Sequence, residues 1–182
     1  MSFWKRKTKY MYIFLLAACA QPGVASSLVI RSAKLIHYEQ SERLLVELNW
    51  NPSARISDAL DHGIALRLML TLASKQPGYF GWSYFSTLHE YDFDLRYYPL
   101  SRQYQLHNLN TGEVRSFAAR AELLNALEQI HLPISPTPGL QQYRLSAELD
   151  TNTLPGALRL PALFDSNWHT QAKDYTWFSR PE

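Results

Sequence analysis

The sequence contains one cysteine, Cys19, and only seven glycines in 182 residues. Because no cysteine follows Cys19, the rest of the chain has no disulfide, thiol nucleophile or cysteine-type zinc site. There is no Walker A or Rossmann glycine spacing, and after residue 25 neither a G-x-S-x-G nor an S-x-x-K motif. These gaps make an enzyme the less favoured class without deciding the question, since catalytic triads are defined by geometry. We expect no cofactor.

The chain also lacks a hydrophobic run long enough to span a bilayer. Its longest apolar stretch, residues 10–20, has eleven residues, whereas a membrane-spanning helix needs about 20. Lys5, Arg6, Lys7 and Lys9 precede the stretch, and small residues around Ala25 follow it. The pattern predicts a signal peptide over residues 1–25, cleaved between Ala25 and Ser26.

A second interpretation of the leader stays open. The segment Leu16-Ala17-Ala18-Cys19 resembles the lipobox of bacterial lipoproteins. In that case residues 1–18 are the leader, and Cys19 is lipidated and becomes the new N-terminus. Either way we expect an exported protein, periplasmic or anchored to a membrane on its periplasmic side. Membrane contact would come only through the signal or the lipid anchor.

An excess of positive charge is missing once the leader is set aside. The leader carries four of the 18 Lys and Arg residues and none of the 16 Asp and Glu residues, so the remainder has a net charge of −2. A nucleic-acid-binding protein needs a basic face against the phosphates. We therefore expect no nucleic-acid partner.

Residues 26–182 show no repeat and no flexible linker, which indicates a single domain. Apolar and polar residues alternate with period two in several segments, as in strands with one buried face. Short connections favour antiparallel pairing, with a hairpin loop at residues 39–42. The predicted fold is mainly β (α+β), an antiparallel β-sandwich-like sheet. The alternating segments are residues 28–38, 44–50, 64–72, 91–97, 104–108 and 142–149.

Two helical segments interrupt this pattern. A short helical turn is predicted over residues 57–63, with its cap at Ser57 and its end at Gly63. One amphipathic helix is predicted from about Phe117 to Ile130, capped by Ser116. Near the C-terminus, Pro161 indicates that any strand there lies at a sheet edge, and Trp177 and Phe178 are expected in the core.

The best cluster of potential ligands is Glu90, Asp92 and Asp94, which share one face of a strand while His89 faces the other side. Three carboxylates on one face are weak candidates for a divalent-cation site. The favoured interpretation is a solvated strand face that Arg96 helps to neutralise. The histidines occur singly, without the paired spacing of a zinc hydrolase helix.

A cluster of aromatic residues surrounds Gly78 and Gly81. Such a loop could present an apolar patch to a partner, a glycan or a lipid surface. The alternative, which the sequence favours, is that the loop folds back and packs over a sheet edge. The candidate interaction residues are Tyr79, Phe80, Trp82, Tyr84 and Phe85.

Several motifs together resemble a known family. They are Asp61-His62-Gly63-Ile64, the segment 95–104 (LRYYPLSRQY), Ser116-Phe117, Leu149-Asp150, Leu154-Pro155, Trp168 and Trp177. The chain resembles the exported proteobacterial DUF4390 family, a domain of unknown function. The resemblance implies no activity and no catalytic residues, but it implies gene neighbours that encode a membrane sensor kinase and its response regulator. The lipobox-like Cys19 departs from the ordinary cleaved signals expected in that family.

The leading functional hypothesis is a non-enzymatic interaction module of the periplasm or cell envelope, accessory to a sensor kinase. Its partner would be an envelope protein. An alternative is a carrier for a small ligand or lipid, and a third, less favoured, is a metal-assisted hydrolase built on the three carboxylates.

Overall fold

The computed structural model describes residues 26–38, 41–135 and 141–179. In this part the chain forms nine β-strands and three α-helices. The strands are β1 (Ser27–Tyr38), β2 (Ser41–Asn51), β3 (Leu66–Pro77), β4 (Ser83–Tyr98), β5 (Gln103–Asn108), β6 (Val114–Phe117), β7 (Gln129–Pro133), β8 (Gln141–Asp150) and β9 (Tyr175–Ser179). The helices are α1 (Ala54–Asp61), α2 (Arg120–Ala126) and α3 (Gly156–Phe164).

The strands form two antiparallel sheets. A three-stranded sheet has the order β1-β2-β7, and a six-stranded sheet has the order β6-β5-β4-β3-β8-β9. The pairings between the described strands are antiparallel. The mainly β, sandwich-like fold predicted from the alternation is therefore confirmed.

The hydrophobic core lies between the sheets and is made by the alternating residues. On β3, Leu66, Leu68, Leu70 and Leu72 are fully buried, and they belong to the same cluster as Leu44 and its neighbours on β2. Period-two spacing places these side chains on one face of each strand. Burial of this apolar surface is the main force that holds the sheets together.

The hairpin of β3 and β4 is the longest element of the fold. Its register runs from Leu66 opposite Leu95 to Pro77 opposite Ser83, with an irregularity between Leu72 and Ala73. A 3₁₀ turn at Tyr79–Gly81 closes it. The twelve residues of β3 extend roughly 36 Å at about 3.3 Å per residue, so the turn lies far from the Leu66 end of the sheet.

Helix α1 begins earlier than the sequence predicted. Its cap is Ser53, whose hydroxyl accepts a hydrogen bond from the amide of Ile56. The predicted cap, Ser57, lies inside the helix, because Ile56 as well as Ala59 and Leu60 is buried against the core. The predicted end near Gly63 is close, since Gly63 follows the helix with a φ of +80°.

The helix predicted from Phe117 to Ile130 is present, but its predicted bounds are wrong. The structure has the short helix α2 between two strands, with Phe117 on β6 and Ile130 on β7. Ile130 and Leu132 are buried and alternate with exposed residues, so pairing with β2 replaces the last helical turns. Ser116 pairs with Gln105 in the sheet, and the residue at the helix cap is Ala119.

Other local predictions differ in detail. Glu42, expected in a hairpin loop, lies on β2. Pro161, which indicated that any strand in its segment lies at a sheet edge, lies inside α3. Trp177 packs against the core as predicted, but Phe178 is 67% exposed. It occupies the alternate position on the edge strand β9, where its side chain leaves the core side.

The predicted leader lies outside the described residues. Among the described residues, none of the helices has the length and hydrophobicity needed to cross a membrane.

Candidate functional site

The tip of the β3–β4 hairpin exposes a group of large apolar side chains. Phe80 is 99% exposed, Trp82 79% and Tyr84 58%. The side chain of Tyr79 lies outside the described part of the structure. We call Phe80, Trp82 and Tyr84 the aromatic tip. The favoured prediction, that this loop packs over a sheet edge, is wrong for these three residues.

Backbone contacts fix the shape of the aromatic tip. The amide of Gly78 donates a hydrogen bond to the carbonyl oxygen of Trp82 at 2.6 Å. Phe80 has a φ of +59° and Gly81 a φ of +81°. A positive φ is an outlier for a bulky residue such as phenylalanine and costs on the order of 1–3 kcal/mol. The turn therefore holds the Phe80 side chain outward at an energetic cost.

Phe85 differs from the other aromatic residues of the segment. It is half-buried on β4, and the guanidinium of Arg144 lies 4.5 Å from its ring centre. Arg144 also lies 3.7 Å from the carboxylate of Asp174. A guanidinium above the face of an aromatic ring is attracted to the ring, and this attraction fixes the orientation of the ring. Phe85 thus belongs to the support of the hairpin, and the aromatic tip projects beyond it.

The carboxylates Glu90, Asp92 and Asp94 lie on the outer face of β4, as the alternation predicted, because Tyr91 and Phe93 between them are buried. His89 lies toward the core side, with its ring 5.8 Å from that of Tyr91. The three carboxylates are therefore placed as a row along one strand. The residues that face these carboxylates from the neighbouring strand determine whether they can bind a cation.

Arg67 on β3 forms an ion pair with Asp94, the last carboxylate of that row. Its Nε and a terminal nitrogen donate to the two oxygens of Asp94 at 2.8 and 3.2 Å. The hydrogen bond to Asp94 raises the pKa of Arg67 despite its desolvation, and the charges of Asp94, Asp92 and Asp150 add to the rise. The described residues contain no group of three or more His, Cys, Asp or Glu side chains that could hold a metal ion.

A second polar cluster connects two of the helices, α1 and α2, to strand β5. The hydroxyl of Tyr104 donates to one oxygen of Asp61 at 2.7 Å, and the guanidinium of Arg120 pairs with the other. Burial raises the pKa of Tyr104 to about 12, and the hydrogen bond to Asp61 contributes. The hydrogen bond and the ion pair link α1, β5 and α2, so we interpret the cluster as structural.

Three surface clefts are smaller than the pockets that usually bind small molecules. One, lined by residues that include Arg43, Arg115 and His131, has a volume of about 180 Å³. Two others, beside Asp150 and beside Tyr98, have volumes of about 210 Å³ each. Pockets for small molecules usually measure about 300–1,000 Å³. These three clefts are smaller than a lipid or metabolite carrier needs.

Sequence reasoning missed a second exposed apolar surface, on helix α3. Leu160 is 67% exposed, Leu163 50% and Phe164 89%. The sequence pattern predicted of this region only that any strand near Pro161 lies at a sheet edge. The signal was present in the segment GALRLPALF, which has a single charged residue in nine.

The predicted processing sites fall at the border of the described part. Cys19 and Ala25 lie outside it. Ser26 is described: its hydroxyl accepts a hydrogen bond from the indole of Trp50 at 3.3 Å and lies 3.5 Å from the carbonyl oxygen of Asn51. The domain therefore begins next to the end of β2.

Comparisons with known proteins give one match. A family model described as "Domain of unknown function (DUF4390)" matches residues 25–178. No curated protein matches, and no solved structure matches.

Proposed function

The chain belongs to the family described as Domain of unknown function (DUF4390), and we propose that it is a non-enzymatic interaction module of the cell envelope. The aromatic tip is its contact surface. The partner is an envelope protein, and the proposal names a membrane sensor kinase as the first candidate. Export by the N-terminal leader is part of the proposal.

The observation that carries the proposal is the exposure of Phe80, Trp82 and Tyr84 together at one end of the β3–β4 hairpin. Exposed apolar groups of this kind mark interaction surfaces, and tryptophan and tyrosine are enriched among residues that dominate binding energy. A strained turn held by the Gly78 hydrogen bond keeps the side chains in position before binding. Such preorganisation lowers the conformational entropy lost on association.

The polar clusters of the domain, which lie at the other end of the β3–β4 hairpin from the aromatic tip, favour a binding role over chemistry. Arg67 pairs with Asp94, and Asp61 is engaged by Tyr104 and Arg120. The charges in each cluster are therefore paired. A catalytic site generally holds groups whose pKa values are tuned for proton transfer near neutral pH, whereas burial raises the pKa of Tyr104 to about 12.

The test is in-cell crosslinking of a full-length, C-terminally tagged chain, followed by capture and mass spectrometry. The proposal predicts specific recovery of an envelope protein, such as a sensor kinase. The control is an exported protein of similar charge with the same tag. Recovery of nothing above that control would contradict the proposal and turn attention to bound small molecules.

A further inference from the structure

We propose that the exposed apolar face of α3, formed by Leu160, Leu163 and Phe164, lies against the phospholipid bilayer to which the N-terminal leader brings the chain. The inference rests on the proposed export to the envelope, in the form in which a lipid on Cys19 keeps the domain attached to the membrane. It adds to that lipid a second membrane contact, made by the folded domain itself.

The first step is the composition of α3. Within this helix, which lies entirely in the described part of the chain, Ala162 is the one buried residue. Leu160 and Phe164 are four residues apart and Leu163 is three from Leu160, so they share one side of the helix. The helix sequence contains no acidic residue. Its outward side is thus an apolar stripe without negative charge.

The charged groups near the stripe have close hydrogen-bond or ion-pair partners. The guanidinium of Arg159 donates to the carbonyl oxygen of Leu154 at 3.1 Å. Asp165, which follows the helix, accepts two hydrogen bonds from Asn167 and pairs with Arg55 at 3.0 Å. A negative charge beside an anionic membrane would repel it. Here the nearby carboxylate faces a guanidinium.

The second step is the position of α3 relative to the start of the domain. Ser26 lies beside Asn51, and the Ser53 hydroxyl two residues later donates to the carbonyl oxygen of Asn167 at 2.8 Å. Asn167 follows Phe164 by three residues. Two chain segments, of two and three residues, and two hydrogen-bond contacts connect Ser26 to Phe164, which limits the separation of their Cα atoms to roughly 35 Å at about 3.6 Å per residue.

The leader joins the described part of the chain at Ser26. Its apolar stretch, residues 10–20, precedes Ser26 by six residues, and Cys19 precedes it by seven. Seven residues span at most about 25 Å. A membrane that holds the leader, or a lipid on Cys19, is therefore within reach of α3. The aromatic tip lies at the other end of β3 and stays free for a protein partner.

The area of the stripe is enough to orient a domain that is already tethered. Its three side chains supply roughly 600 Å² if each buries about 200 Å², as large aromatic residues do. Tethering raises the effective concentration of the stripe at the membrane surface, so a large contact area is not required.

The test uses the full chain in a bacterial host. A photoreactive phenylalanine analogue replaces Phe164 in one chain and Phe80 in another, and the mass of the group attached after illumination is measured. The two positions are matched, since both are phenylalanines that are 89% and 99% exposed. The inference predicts phospholipid adducts at position 164, several-fold above those at position 80. The analogue at Leu160 should repeat the result of position 164.

Three results would overturn the inference: equal lipid adducts at both positions, no lipid adducts at position 164, or adducts there to a second copy or another protein. Protease accessibility from the periplasmic side, measured on the same cells, separates the two proposals. A chain that stays in the cytoplasm contradicts the proposed function and this inference together. An exported chain without lipid at position 164 contradicts this inference alone.

Discussion

The amide of Gly78 and the carbonyl oxygen of Trp82 are joined by a 2.6 Å hydrogen bond that closes the turn of the longest hairpin. A Cβ atom added at Gly78 would lie 2.7 Å from the same oxygen, closer than real Cβ atoms approach. Glycine is therefore required there for steric reasons, and this requirement sets the geometry from which Phe80 and Trp82 project.

Gly78→Ala should open the turn. The clash is with backbone, so we expect a loss of about 1–3 kcal/mol in the free energy of unfolding, as for other overpacked positions. Chemical denaturation measures it. The control is Gly156→Ala in α3, where nothing lies within 4 Å. Alanine there should be neutral or stabilise by up to about 1 kcal/mol. Equal effects at the two positions would show that the Gly78 contact does not constrain the turn.

Leu70→Ala should destabilise the domain strongly. Leu70 is fully buried in the middle of β3, and removing a buried leucine side chain typically costs about 2–5 kcal/mol. The adjacent Thr71 faces away from the core, so Thr71→Ala should cost much less, within about 1 kcal/mol. Urea denaturation of both variants tests the assignment of inner and outer faces. A larger loss for Thr71→Ala would reverse it.

Asp94→Asn should lower stability modestly, because it removes the partner of Arg67. Both side chains are partly exposed, and such pairs contribute at most about 1 kcal/mol. The effect should shrink in high salt, which screens exposed charges. Glu90→Gln on the same strand face is the control and should change stability little. If Glu90→Gln cost more than Asp94→Asn, the row of carboxylates would have a role beyond this ion pair.

Alkaline pH should destabilise the domain. Burial raises the pKa of Tyr91 to about 12, and burial with the Asp61 hydrogen bond raises that of Tyr104 to about 12. Since both folded-state pKa values exceed the ordinary value of about 10, the contribution is fully present below about pH 10 and is lost as the pH rises through about 12. Denaturation at about pH 9 and about pH 11 measures it, and Tyr91→Phe should weaken the dependence.

The strand pattern made most of the fold predictable, because alternation on β3, β4 and β8 is a local signal. The helix predicted over residues 117–130 is shorter than expected, because the local signal at its C-terminal end is ambiguous. Leu124, Leu127 and Ile130 fit a helical period, but Ile130 and Leu132 also alternate, and pairing with β2 selects the strand. Periodicity alone cannot anticipate a partner strand that lies about 85 residues away in sequence.

The residues of the candidate site could be predicted from the sequence, but their exposure could not. The sequence located the aromatic residues between Tyr79 and Phe85, yet whether they pack depends on the sheet edge beside them. The exposure of Phe164 could not be predicted either, since an apolar helix usually packs against the core. Burial is a property of neighbouring elements, which a segment's own residues do not encode.

The most direct test of the aromatic tip as a binding surface is the yield of the crosslinked partner from Trp82→Ala. Trp82 is 79% exposed, so its removal should leave the melting temperature unchanged while partner capture is lost. Val114→Ala, at an exposed position on the edge strand β6, should capture the partner like the parent chain. Full capture by Trp82→Ala at equal expression would contradict the account, and loss of folding in that variant would show that the tip is part of the core.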